Sequence, residues 1–332
     1  TQRSTLFPYT TLFRSFLAYQ TIFMKKTVLL VLCIALPNII LACGCDMLIT
    51  YQGIMPTDYN GNIGFNMRQR YFKGAALTHN HSDGSSHEHG QMNQLLSNYE
   101  LNYRFFLTRK IIINGNLPMA DYQLSSSKAA ANYRNSGIGD PFIIAKYEIV
   151  SPSTNNDVKN KHRLLIGSGV KLPLGLYYKD MLNDQPADEN LLQLQLGTGS
   201  FDYIANINYQ IKHNNAGLQT DISFKKNFAN KLGFTKGNQI NAQVNYFYQK
   251  RWSKTVLMPF VGALYENSLT DKINNNILVN TGGNNLYGSF GAEFFMKKVS
   301  VYFNYQQLLS GALNGFQMKN NLRFTFGMNY QL

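Results

Sequence analysis

The chain has 332 residues, 31 of them Lys or Arg and 18 Asp or Glu, for a formal charge of +13. Charged residues make up 15%, against roughly a quarter in soluble globular domains. Mean hydropathy is −0.24 with no second long apolar run, so a helical membrane protein is excluded and the composition departs from that of an ordinary soluble domain.

In chain order, the first stretch is set aside. Thr5 to Ser15, TLFPYTTLFRS, is the in-frame translation of a common short-read sequencing adapter. Residues 1–23 therefore read as an assembly scar, with the natural start at Met24. Lys25 and Lys26 precede an apolar run from Thr27 to Leu36, broken by Pro37. That run has signal-peptide length and falls short of the roughly twenty residues a spanning helix needs. Residues 24–42 thus read as a signal peptide. Cleavage after Ala42 suits either signal peptidase, which makes Cys43 a candidate for lipidation. Cys43 and Cys45 are too close for an unstrained disulfide, and two thiols alone are an incomplete metal site. Residues 1–42 carry Arg3, Arg14, Lys25 and Lys26; without them 27 Lys and Arg face 18 acidic residues, a balance of +9. The cations are scattered and follow an export signal, which argues against nucleic acid as a partner. Residues 43–61 form a short periplasmic lead, its Gly53 to Pro56 (GIMP) placed to enter a barrel mouth.

From residue 62 the pattern changes to alternation with period two, the signature of strands with two unlike faces. Tyr99, Leu101, Tyr103, Phe105 and Leu107 oppose Asn98, Glu100, Asn102 and Arg104. Ile240 to Tyr248 and Phe290 to Met296 repeat the pattern. At the C-terminus Leu322, Phe324, Phe326, Met328, Tyr330 and Leu332 oppose Arg323, Thr325, Gly327, Asn329 and Gln331. About twelve strands of roughly ten residues result, the length that crosses a bilayer at a tilt. They are expected near 62–73, 94–107, 111–119, 137–149, 163–174, 191–210, 217–226, 238–250, 256–266, 285–296, 299–307 and 321–332. Pro259 weakens the ninth. Short gaps alternate with longer ones, as short periplasmic turns alternate with long outer loops; Ser151 to Lys161 is the exception, long for a turn. An even strand number puts both ends in the periplasm. Hydrocarbon offers no partner for an unpaired backbone N–H, so such a sheet must close. The expected fold is all-β: a closed antiparallel up-and-down transmembrane barrel over residues 62–332, monomeric, in the bacterial outer membrane and in contact with its lipid.

One face of these strands should line the lumen. It carries Arg68, Arg70, Glu100, Arg104, Asp140, Lys146, Glu148, Lys171, Asp221, Glu293 and Arg323 among many amides. Twelve strands fall between filled and open barrels, so passage should be narrow or plugged. Four of the six histidines, His79, His81, His87 and His89, fall in the first outer loop. Imidazoles bind transition metals when three or four converge. Ordering a loop that holds Asp83, Gly84, Ser85 and Ser86 opposes this. The tract reads as a solvated tip, with a bound metal as the alternative and no other cofactor expected. His162 and His213 lie beside expected periplasmic turns. No outer strand end therefore offers a Ser its base within reach, and no G-x-S-x-G is present, so the chain does not read as an enzyme. Lys and Arg at turn tips read as solvated.

Two segments belong together: Gly167 to Gly175 (GSGVKLPLG) and Leu194 to Tyr203 (LQLGTGSFDY). The pair resembles the outer-membrane family of phenol-degradation-pathway transporters. There a strand ending in Lys-Leu-Pro-x-Gly precedes, one loop later, Gly-Thr-Gly-Ser and an aromatic. Lys171, Pro173, Gly175, Gly197 and Gly199 match; Leu174 stands where Thr is common. The Cys-Gly-Cys and GIMP segments are also similar to transporters. Thr325, Gly327, Tyr330 and Leu332 resemble the C-terminal signal by which barrels engage the barrel assembly machinery. The resemblance implies passage of a small solute, aromatic or apolar. The glycines suggest either a lateral opening or, preferably, a corner needing curvature. A non-transporting metal-binding surface barrel and a lipase-like enzyme are the alternatives.

Overall fold

The computed structural model describes residues 61–75, 91–126, 133–155, 157–177, 189–315 and 317–332. Twelve barrel strands run β1 Asn62–Ala75, β2 Gln91–Phe106, β3 Ile111–Ser126, β4 in two pieces (Tyr133–Ile138 and Phe142–Val150), and β5 Asn160–Lys171. They continue as β6 Asp202–His213, β7 Ala216–Asn227, β8 Gln239–Tyr248, β9 Thr255–Ser268, β10 Gly283–Met296, β11 Val299–Leu313 and β12 Lys319–Gln331. Each pairs antiparallel with its chain neighbours. β12 returns to β1, from Asn62↔Gln331 to Lys73↔Lys319, so the sheet has no open edge. Alternation fixes the two faces. Phe65, Leu101, Ile143, Ile207, Val261, Phe303 and Phe326 stand exposed on the outer wall, while the residues between them are buried inside. That wall suits lipid.

Two turns are as tight as their spacing implied. Asn214 (φ 53°) and Lys297 (φ 52°) take the left-handed conformation that two-residue hairpins require. Pro259 is tolerated because the β8–β9 ladder is interrupted there, between Phe247↔Phe260 and the Lys250↔Leu257 pair. Pro118 similarly faces the gap in β4.

The main departure from the alternation is the sixth strand. It was expected from residue 191, yet β6 begins at Asp202, and Glu189–Leu194 is a 3-10 turn. Leu192, Leu194 and Leu196 are buried, not turned to lipid. The lumen contains an apolar patch of its own, and period two cannot distinguish that patch from a membrane. β3 and β11 also run past the expected limits of 119 and 307, to Ser126 and Leu313.

Inside, the end with short turns holds an apolar layer of Phe247, Met258, Phe260 and Tyr302, with Val256 and Phe295 against it. Three of these rings lie over glycines of the next strand: Phe247↔Gly217, Phe260↔Gly291 and Tyr302↔Gly327. A Cβ on Gly327 would fall 2.3 Å from the Tyr302 ring. Gly327→Ala is therefore expected to cost about 1–3 kcal/mol by overpacking, seen as a lower temperature for loss of the compact electrophoretic form. Gly288→Ala, which meets only the tip of Leu309 at 3.2 Å, should leave that temperature nearly unchanged; equal effects would refute the packing argument.

Candidate functional site: the lumen and its outer mouth

The alternation of each strand carries the interior. Asn66, Asn98, Asn102, Asn114, Asn116, Asn206, Asn208, Asn241, Asn245 and Gln243 are all buried on inward positions. Arg70, Glu100, Arg104, Asp140, Glu148, Lys171, Glu293 and Arg323 are buried there too, and Arg68, Lys146 and Asp221 are half-buried. Arg163, Asp202, Lys225 and Glu266 join them. These four lie at or near the ends of their strands, where alternation has the least sequence to anchor it. Charges of both signs neutralise one another in place. Arg68 pairs with Glu100 at 3.3 Å and Arg163 with Glu148 at 3.0 Å. Asn206 and Asn208 each donate to Asp221 at 2.9 Å. Arg323 donates two parallel bonds of 2.7 Å to Glu266 and one of 2.9 Å to the Tyr287 hydroxyl, whose ring lies 4.0 Å from the guanidinium.

Asn66, Gln94 and Gln239 have buried amide oxygens and nitrogens without a protein partner. Buried amides of this kind take water where protein supplies nothing; Asn66 lies toward the short-turn end of the lumen and Gln94 and Gln239 toward the opposite one.

The two segments singled out in the sequence meet at Asp140. Met119↔Ile138 and Asn116↔Phe142 bracket the break in β4, so Gly139 to Pro141 oppose only Leu117 and Pro118. This bulge turns Asp140 inward. Its Oδ2 lies 2.7 Å from Lys171 Nζ, which also lies 2.6 Å from Asp202. Asp140 accepts from the backbone N–H of Gly175 at 2.9 Å and of Thr198 at 2.8 Å. Lys171 also donates to the Thr198 hydroxyl, which meets Ser200 at 2.9 Å; Ser200 donates to Asp202 at 2.9 Å. A Cβ on Gly175 or Gly197 would fall 2.7 or 2.6 Å from Asp140 Oδ1. The glycines thus permit a close approach to a carboxylate. Gly199, at φ +68°, lies under the Tyr177 ring. Pro173 is half-buried beside this latch and Leu174 faces outward, 64% exposed.

Above the latch the wall changes. β5–β6 pairing ends at Lys171↔Asp202. Beyond it Leu176 N–H donates to Ile138 at 3.2 Å and Gly197 N–H to Leu176 at 3.0 Å, so loop backbone continues the sheet. The same segment then turns inward across the mouth. Leu194 and Leu196 pack with Phe72, Leu96, Tyr122, Leu124 and Met318 on one side. Leu192 packs with Phe234, Leu278 and Ile273 of the loops after β7 and β9 on the other. Asn135 Nδ2 donates to Leu194 O at 2.8 Å. Beneath this bridge is a cavity of about 90 Å³ lined by Arg68, Glu100, Lys171 and Lys225 together with Phe72, Leu96, Tyr122, Leu196 and Phe234. At 10–15 Å³ per water it has room for about six waters or more.

The segments expected as scar and signal peptide (1–42), Cys43 and the tract His79, His81, His87 and His89 lie outside the described residues. Among the described residues no group of His, Cys, Asp and Glu gathers as a metal site. His162 Nδ1 lies 2.8 Å from Tyr209 Oη, at the rim of short turns.

No protein-family model and no curated protein matches the chain. Among solved structures, an outer membrane channel from Pseudomonas putida is 17% identical. The match covers 84% of this chain and all of that one, with a TM-score of 0.55. The translocator domain of the autotransporter NalP from Neisseria meningitidis is 13% identical, over 83% of this chain and 90% of that one, at a TM-score of 0.38. The transport unit of the autotransporter AIDA-I from Escherichia coli is 10% identical, over 86% and 93%, at 0.42. The last two are too distant in shape to carry an argument. The first shares the fold, and with the apolar outer wall it identifies a bacterial outer-membrane barrel.

Proposed function

We propose that the barrel is a channel for small solutes, selecting aromatic or apolar ones over polar ones of equal size. One observation carries this reading: the cavity under the leucine bridge, where apolar walls and a few charged groups converge, on a scale smaller than a formed ligand site. The amide-lined lumen beneath it offers a polar path. The latch at Asp140 and the bridge of Leu192, Leu194 and Leu196 hold the mouth narrow, so a solute must pass by displacing side chains.

Liposome swelling with purified protein tests it. Phenylalanine should enter faster than glutamine, and both slowly. Leu194→Ser should raise entry of both, by about tenfold or more as a well-packed buried leucine is lost, and should reduce the discrimination. No swelling and no conductance above protein-free vesicles, for both the parent and Leu194→Ser, would leave a non-transporting surface barrel as the better account.

A further inference from the structure

The short-turn rim carries a charge far from balanced. The first turn holds Arg109 and Lys110 and the second Lys159, while Lys161 and Lys212 lie in strands β5 and β6 beside the second and third turns. The fourth holds Lys250, Arg251 and Lys254, and the fifth Lys297 and Lys298. Eight turn cations, all exposed, face a single carboxylate, Asp157, among the described residues of these turns. Lys161 and Lys212 are half-buried on inward positions of their strands. Those two stand directly opposite each other in the β5–β6 ladder, an arrangement of like charges that is unfavourable on its own. The lumen, by contrast, sets acidic residues beside cations, as in Arg68–Glu100, Arg163–Glu148 and Arg323–Glu266.

Aromatic rings interleave with these cations. Lys250 Nζ lies 4.9 Å from the centre of the Trp252 ring, and Lys298 Nζ 5.6 Å from that of Tyr330. Trp252, Tyr330, Tyr248 and Tyr147 are each about half exposed on the outer wall. Tyr and Trp take this position at the level of lipid headgroups. A cation just beyond them is set at the depth of the phosphates.

We propose that this rim binds anionic phospholipid, with the phosphodiester of each headgroup held between turn cations and its acyl chains along the aromatic belt. The distribution favours lipid over an acidic protein. Four of the five described short turns contribute cations, so the positive charge is spread along the rim. An annulus of lipid matches a ring; a single docked protein would need only one side of it.

The chain has one tryptophan, Trp252, so its fluorescence reports this rim alone. The purified full chain is reconstituted into neutral phosphatidylcholine vesicles doped with brominated phosphatidylglycerol or, separately, brominated phosphatidylcholine. Quenching then gives the relative association constant, whichever way the barrel inserts. The anionic lipid should be preferred by about fivefold or more, and the preference should fall toward unity in 1 M salt, where screening acts within about 3 Å. The triple variant Lys250→Gln, Arg251→Gln, Lys254→Gln should lose most of it, while Arg134→Gln, in the opposite half of the barrel, should keep it. Equal quenching by both lipids at low salt would overturn the proposal and leave an acidic protein or glycan as the rim's partner. An undiminished preference in the folded triple variant would overturn it equally.

Discussion

Lys171→Met is expected to be the most damaging single substitution in the barrel, with a loss of about 3–5 kcal/mol in unfolding free energy. Lys171 is 2% exposed and lies between Asp140 and Asp202. Removing it leaves two carboxylates buried near each other without their cation, and an uncompensated buried charge costs that much. The effect should extend beyond stability. Asp140 also holds the backbone of Gly175 and Thr198, which anchor the segment that continues the wall and bridges the mouth. If the carboxylates turn away from each other, the segment loosens and single-channel conductance should rise. Adding Asp140→Asn to Lys171→Met should recover part of the stability, because one buried charge fewer is left. Denaturant unfolding in detergent measures the first effect and planar-bilayer recording the second. A variant as stable and as closed as the parent would show that the latch does not hold the segment.

The second large effect is expected at Arg323. Arg323→Met should cost about 3–5 kcal/mol, since Glu266 would remain buried without its partner. Glu266→Gln should cost a similar amount by leaving the buried guanidinium without a counter-charge. The double variant should be far less damaged than the sum of the two, because a buried pair replaced as a unit loses little. β9 and β12 are not neighbours; β10 and β11 lie between them. The pair is therefore a strut across a chord of the lumen, and it should set bore shape as well as stability. Purely additive losses in a thermodynamic cycle would argue against a coupled pair.

How much of this was legible beforehand differs by feature. The segments 98–107 and 322–332 alternate so regularly that their inner and outer faces needed no structure. Arg104, Glu100 and Arg323 followed from the same count. The stretch Leu191 to Leu196 defeated it. Its alternation is as regular as any strand's, yet the leucines face an apolar patch within the lumen. Glu266 and Arg163 escaped because a residue at a strand end has no flanking pattern to orient it. The two motifs around Lys171 and Gly197 could be placed one loop apart, but nothing local linked either to Asp140, which owes its inward direction to a bulge.

The sequence by itself determined the strand number, the order of short and long connections, and which side of each strand meets lipid. All three depend on the period of the backbone and on its need to pair every N–H in hydrocarbon, properties that residues a few positions apart already express. Only the tertiary structure decided that Lys171 meets Asp140 across 31 residues, that Arg323 meets Glu266 across 57, and that three leucines reach across the mouth. Those contacts depend on the stagger and closure of the whole cylinder, which bring distant strands to one height, and no local pattern encodes that height.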